Sequence, residues 1–227
     1  MITLRFTWKY CLAFYCVIML YVSVHELVHH FSAFALCGGE WGFKTFNYFE
    51  TACEGTTLSY LATFMGPLFT FGAMYYGAYL LKPNNSELKK HLGFAVIFAQ
   101  LPMQRMVSPF FRMNDEFYAS AALFGDTPLV YWVVTSLIWA ICLPPLWAAF
   151  KAISNKRRLL WFAWYFLLFP YLIWGPVFGV LEYLMVSRGV LATTFYGIGW
   201  LFIINELVTI AAYVKLKKYI DPGRVTE

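Results

Sequence analysis

The sequence predicts an all-α, polytopic membrane protein of about six transmembrane helices, and three observations predict it. The chain is 61% hydrophobic and 21% aromatic with 13% charged residues, against roughly a quarter charged in a soluble domain. Several apolar runs reach the roughly 20 residues that a bilayer-crossing helix needs, and none alternates in the way of a membrane barrel strand. The cationic side chains gather at the ends of those runs, where topology signals belong. The net charge of +5 is therefore read as membrane orientation, and no nucleic-acid partner is expected. At 227 residues the chain holds helices, loops and little else, so one membrane domain over residues 1–227 is expected.

The first run, Tyr10 to Leu36, ends at Cys37-Gly38-Gly39, which is helix-stop chemistry. Arg5, Lys9 and the small residues around Ala33-Phe34-Ala35 imitate a signal peptide, but the run exceeds the usual core of about 7–15 residues, so it is expected to be retained. The second run, about Leu58 to Leu81, leads into a basic loop with Lys82, Lys89 and Lys90. The third, about Leu92 to Phe111, contains Gln100, Pro102, Gln104, Arg105 and Pro109, so it should face protein or water, and a broken or re-entrant form stays open. The fourth, about Leu129 to Phe150, precedes Lys151, Lys156, Arg157 and Arg158. The fifth, about Leu159 to Leu181, is interrupted by Pro170 and Gly175-Pro176, and the sixth, about Phe195 to Val214, stops at Lys215, Lys217 and Lys218. Basic loops alternate with acidic or neutral ones along this scheme, which places both termini in the cytoplasm. Cys11, Cys16 and Cys142 lie in apolar runs as packing residues, whereas Cys37 and Cys53 flank the first non-cytoplasmic loop, where the compartment permits a disulfide.

The stretch that carries chemistry is His25-Glu26-Leu27-Val28-His29-His30. On a helix His25 and His29 share a face and can reach one metal ion, with Glu26 beside it as a general base. Ionisable side chains at membrane depth cost several kcal/mol unless they are paired or functional, which favours a Zn2+ site over a chance match. His30 points about 100° away round the helix and is not expected to ligate. A catalytic zinc site usually has three protein ligands. The remaining histidine, His91, falls in a basic loop on the opposite side, so an acid is expected: Asp115 first, Glu116 second, Glu206 third.

The HELVH helix, Met65-Gly66-Pro67-Leu68 in the next span and Asn114-Asp115 at the third together resemble the site-2 protease family of intramembrane zinc metalloproteases. The resemblance covers about the first 125 residues and implies a three-helix catalytic core over 10–125, with additional transmembrane helices over 129–216. It implies zinc ligands at His25, His29 and Asp115 and a base at Glu26. The sequence departs from the family around the third ligand, where Arg112-Met113-Asn114-Asp115-Glu116-Phe117-Tyr118-Ala119 replaces an Asn-Pro-x-Asp-Gly type of motif. Glu116-Phe117-Tyr118-Ala119 is loosely similar to the Glu-x-x-Ala-Asp segment of CAAX-prenyl zinc proteases, which keeps Glu116 open as the ligand. The loops are too short for a PDZ domain. A histidine box of the di-iron desaturase type needs more histidines than the four present.

The expected function is peptide-bond hydrolysis in transmembrane or membrane-associated protein substrates at or within the lipid bilayer. Glu26 takes the proton of water, Asn114 adds a donor for the oxyanion, and Gln100, Gln104 and Arg105 line a water path. The alternative is a non-proteolytic membrane scaffold or a metal carrier on the same fold.

Overall fold

Thr7, Thr56, Ser86 and Thr127 each stand just before an apolar run, and each side chain accepts a hydrogen bond from the backbone N–H three residues on. These caps satisfy one orphan donor apiece and fix where four helices begin. In the structure, a computed structural model describing residues 1–169, 171 and 175–220, the chain is mostly helical. Helix α1 is Trp8–Leu36, α2 is Thr57–Leu80, α3 is Glu87–Ala99 and α4 is Pro102–Val107. A 3-10 turn at Ser108–Phe111 leads to α5, Asp115–Phe124. Helix α6, Pro128–Ala152, has Pro128 in its first turn, where a missing N–H costs nothing. Helix α7, Arg158–Ala163, runs on into wide π-type turns at Trp164–Leu168, and further such turns occupy Gly175–Leu181 and Tyr183–Ser187. A hairpin of β1, Thr194–Phe195, and β2, Ile198–Gly199, precedes α8, Trp200–Leu216.

Among the described residues, α1 and α6 are the helices long and apolar enough to cross a membrane. The expectation of six such spans is not met in that form, and the reasons are local. The third run breaks at Leu101, which takes a left-handed φ of 48° just before Pro102. Proline disfavours the α conformation in the residue before it, so the helix stops here. The fifth run widens into π-type turns, and the expected interruption at Pro170 lies outside the described residues. The sixth begins five residues late because a turn at Gly197, φ 77°, folds its start into the hairpin.

Helix α1 is the central element and packs against α2, α3 and α8. On its N-terminal half Phe14 meets Tyr165 at 4.8 Å, Phe169 at 5.1 Å and Phe94 at 6.4 Å between ring centres. At that end Ile2 N donates to Ala152 O at 2.7 Å and Ser154 N to Ile2 O at 2.8 Å, tying the N-terminus to the α6–α7 loop. At the other end a Cys37–Cys53 disulfide closes the α1–α2 loop. Lys44 N in that loop donates to Gly197 O at 2.9 Å, so the hairpin is stitched to the same end.

Helices α2 and α3 approach through two glycines. A Cβ at Gly77 would lie 2.7 Å from Gly93 O and 2.7 Å from Ile97 Cγ1, whereas one at Gly72 would meet nothing within 4 Å. Gly77→Ala is expected to lower stability by about 1–3 kcal/mol through overpacking, while Gly72→Ala is expected to stabilise by up to about 1 kcal/mol through helix propensity. Thermal unfolding of the two variants in one detergent checks the contrast.

Candidate metal centre

The four-residue spacing of His25 and His29 puts both imidazoles on one face of α1. Opposite them, α2 carries Ala62, Gly66 and Thr70, also four residues apart. Thr70 Oγ1 lies 2.9 Å from His25 Nδ1, and Ala62 O accepts from His29 Nδ1 at 3.1 Å. A carbonyl only accepts, so His29 carries its proton on Nδ1 and turns the Nε2 lone pair inward. Gly66 makes the approach possible, since a Cβ there would lie inside van der Waals contact of His29 Nε2 and 2.7 Å from His25 Cε1. Phe49 stacks on His29 at 4.7 Å with 9° between the planes.

The third donor comes from the broken segment. Leu101 and Arg112, both left-handed, turn the chain so that α5 begins with Asp115 at the histidines. Asp115 Oδ2 is 3.3 Å from His25 Nε2 and 3.6 Å from His29 Nε2, and the two Nε2 atoms are 3.1 Å apart. Tetrahedral zinc with bonds of about 2.0–2.1 Å has ligand atoms about 3.3 Å apart, so the triangle has the dimensions that this metal requires. The two histidines are buried and Asp115 keeps 32% of its side chain accessible.

The other expected residues lie elsewhere or play other parts. Glu116 is buried with its carboxylate on Asn114 Nδ2 at 2.7 Å and Arg105 Nη1 at 3.3 Å, outside the group of three. That contact directs the Asn114 amide at Glu116. Glu206 accepts from Asn205 Nδ2 at 3.0 Å and hydrogen-bonds Ser23, also outside the group. His91 is buried on α3 and His30 bonds Tyr196 O through Nε2 at 2.8 Å while stacking on Trp41. Gln100, Gln104 and Arg105 do line a cavity of about 340 Å³ together with His25, Glu26 and Asp115. A second cavity of about 250 Å³ opens on the far side, lined by Glu26, His29, Phe49, Thr63 and Asp115. Glu26 and Asp115 thus stand in the wall shared by both.

Two cations complete the site, and sequence spacing did not point to either contact. Lys44, fully buried, sits with Nζ 3.8 Å from Glu26 Oε2, donates to Thr45 O at 2.7 Å and lies 4.4 Å from the Phe202 ring centre. Burial pushes its ammonium down to about 8, against the upward pull of Glu26, Glu182 and Glu206. Arg105 reaches Asp115 Oδ2 with Nη1 at 3.0 Å and His25 Nε2 with Nη2 at 2.7 Å. The stripe of small residues Ala62, Gly66 and Thr70 is a signal in the sequence that could have pointed to the histidine-facing side of α2.

Thr70→Val is expected to weaken zinc binding about 10–100-fold, because it frees the His25 ring from the hydroxyl that orients it. Gly66→Ala is expected to remove stoichiometric zinc while leaving far-ultraviolet circular dichroism unchanged. Metal content per chain and competition with a chelator of known affinity check both. No family model, curated protein or solved structure matches the chain.

Proposed function

We infer that the chain is a zinc-dependent intramembrane metalloprotease acting on transmembrane or membrane-associated proteins. The observation that carries this reading is the triangle of His25 Nε2, His29 Nε2 and Asp115 Oδ2, with edges of 3.1, 3.3 and 3.6 Å. With both Nε2 atoms unprotonated and the carboxylate ionised, the three groups need a proton or a cation between them at those distances, and a divalent cation at their centre serves all three at once. Zinc held there supplies Lewis-acid polarisation of a carbonyl and lowers the pKa of water to about 7.

The chain's own side chains then divide the work. Glu26 accepts the proton of the attacking water and passes it to the leaving amine. Lys44 holds the Glu26 carboxylate from behind at 3.8 Å. Gln100 and Gln104 offer polar lining for water entering the larger cavity. The openings on both sides of Glu26 leave room for an extended substrate backbone, which is how a peptide bond becomes accessible once a substrate helix unwinds.

The reading includes a multi-pass arrangement with both termini cytoplasmic. It is supported by the N-terminus and the α6–α7 loop meeting at one end, with Lys9 5.1 Å from the Tyr219 ring, and by the disulfide loop and hairpin meeting at the other. Disulfides persist in oxidising compartments, so the second end is the non-cytoplasmic one. His25 is 17 residues beyond Trp8, about 26 Å along α1, which supports a metal centre in the outer half of the membrane.

A scaffold without metal is the second reading, and one contact favours it: Arg105 Nη2 at 2.7 Å from His25 Nε2 brings a cation to the triad from the protein itself. Metal analysis separates the two. The protease reading expects one zinc per purified chain, lost in His29→Ala and Asp115→Ala. It also expects Glu26→Gln to retain zinc while cleavage of single-span reporter helices falls by at least about 100-fold. Wild type without stoichiometric zinc, or cleavage by Glu26→Gln at the wild-type rate, would refute it.

A further inference from the structure

Arg105 has one end fixed and the other on an atom that the metal needs. Nη1 is bound by Asp115 Oδ2 at 3.0 Å and by Glu116 Oε2 at 3.3 Å, and Nη2 lies 2.7 Å from His25 Nε2. Nη2 also lies 3.2 Å from His25 Nδ1, so it rests against the imidazole ring and off the Nε2 lone pair, which stays available to a metal. The two carboxylates hold the guanidinium in the wall of the cavity, so its Nη2 N–H groups stay beside the triad, within reach of an oxygen placed there.

Two other amides on that wall are directed elsewhere. Asn114 Nδ2 faces Glu116 Oε2 at 2.7 Å, and Gln100 Nε2 donates to Val96 O at 3.2 Å.

We propose that Arg105 is a catalytic residue, donating from Nη2 to the carbonyl oxygen of the scissile peptide bond as negative charge grows on it. The assignment rests on the metalloprotease reading. In the step concerned, the oxygen of water forms a bond to the carbonyl carbon, the π electron pair moves to the carbonyl oxygen facing Arg105, and the water proton goes to Glu26. The pair then returns, the C–N bond breaks, and Glu26 gives its proton to the departing amine. The carboxylic acid product ionises to solvent. A donor fixed beforehand by two carboxylates needs no reorganisation when the charge appears, which is where such groups have their largest effect.

The test uses the full chain in detergent, loaded with cobalt(II) in place of zinc and followed by its visible absorption. The probe is a phosphinic dileucine analogue, whose anionic tetrahedral phosphorus centre imitates the species that Arg105 is assigned to stabilise. Imidazole serves as the uncharged comparison ligand. Arg105→Gln is expected to bind cobalt and imidazole as wild type does and to bind the phosphinate about 100-fold more weakly. Arg105→Lys, which keeps the charge on a different donor geometry, is expected to fall between the two. Equal phosphinate affinity in Arg105→Gln and wild type at full cobalt occupancy would overturn the proposal alone. Loss of cobalt from both variants would overturn it as well, since Arg105 would then serve only to hold Asp115. Failure of wild type to take up metal would instead sink the metalloprotease reading on which the proposal stands.

Discussion

The close approach of α2 to the two histidines across Gly66 is the constraint on which the rest of the site depends. Two imidazoles on adjacent turns of α1 can converge only if the helix facing them presents no side chain at that height, and a Cβ there would overlap His29. The same approach brings Ala62 O and Thr70 Oγ1 within 3.1 and 2.9 Å of the two Nδ1 atoms, so the surface that makes room also sets the ring orientation. The Gly77–Gly93 contact continues the close packing toward the other end of α2. Backbone approach, ring orientation and helix packing are therefore one feature of α2, expressed as small residues along one side.

Charge explains why the third segment is broken. A continuous helix over residues 92–111 would leave no turn by which the carboxylate after it could reach α1 at His25. The left-handed Leu101 costs roughly 1–2 kcal/mol, and in return the chain gains a second direction. The short α4 carries Arg105 into the cavity, and the chain turns again at Arg112 so that α5 starts at Asp115. A carboxylate in the first turn of a helix is favoured by the helix dipole, which adds to the pull of the guanidinium beside it. Arg105 thereby compensates Asp115 and Glu116 in a setting where an unpaired buried charge would cost several kcal/mol.

Much of this was legible in the sequence, and the boundary between what was and what was not is physical. Local chemistry announces itself: Thr caps mark the starts of α1, α2 and α6, and the i, i+4 histidines mark a shared face. The start of α3 falls earlier than expected, since Ser86 caps a helix from Glu87 and so puts Lys89, Lys90 and His91, expected in a loop, on its first turns. Asp115, ranked before Glu116 from the sequence, is the carboxylate that the structure brings beside the histidines. Long-range pairing has no such signature. Lys44 reads as an ordinary loop cation, yet backbone bonds from its loop to the hairpin near Gly197 pull it into a fully buried position beside Glu26. Hydropathy also overstated the number of regular spans, because it registers apolar content and not whether Leu101 before a proline, or the wide turns after Ala163, keep a helix continuous.

The two cavities give the site a direction. They meet at a wall that Glu26, Asn47, Asp115 and Tyr118 share, one bordered by Arg105 and the glutamines, the other by Phe49 and Thr63. On the proposed reading, a substrate lying across that wall would present its carbonyl oxygen toward Arg105 and its departing amine toward Glu26, since the proposed donor and base stand on different parts of the same opening. A regular substrate helix cannot occupy both cavities at once, because its backbone amides and carbonyls are already paired along its own axis. An unwound stretch can, and the polar lining offers those freed groups partners that lipid does not. On the proposed protease reading, the lining that would admit water to Glu26 would also lower the cost of unwinding a substrate beside it, so hydration and substrate selection would follow from one arrangement of side chains.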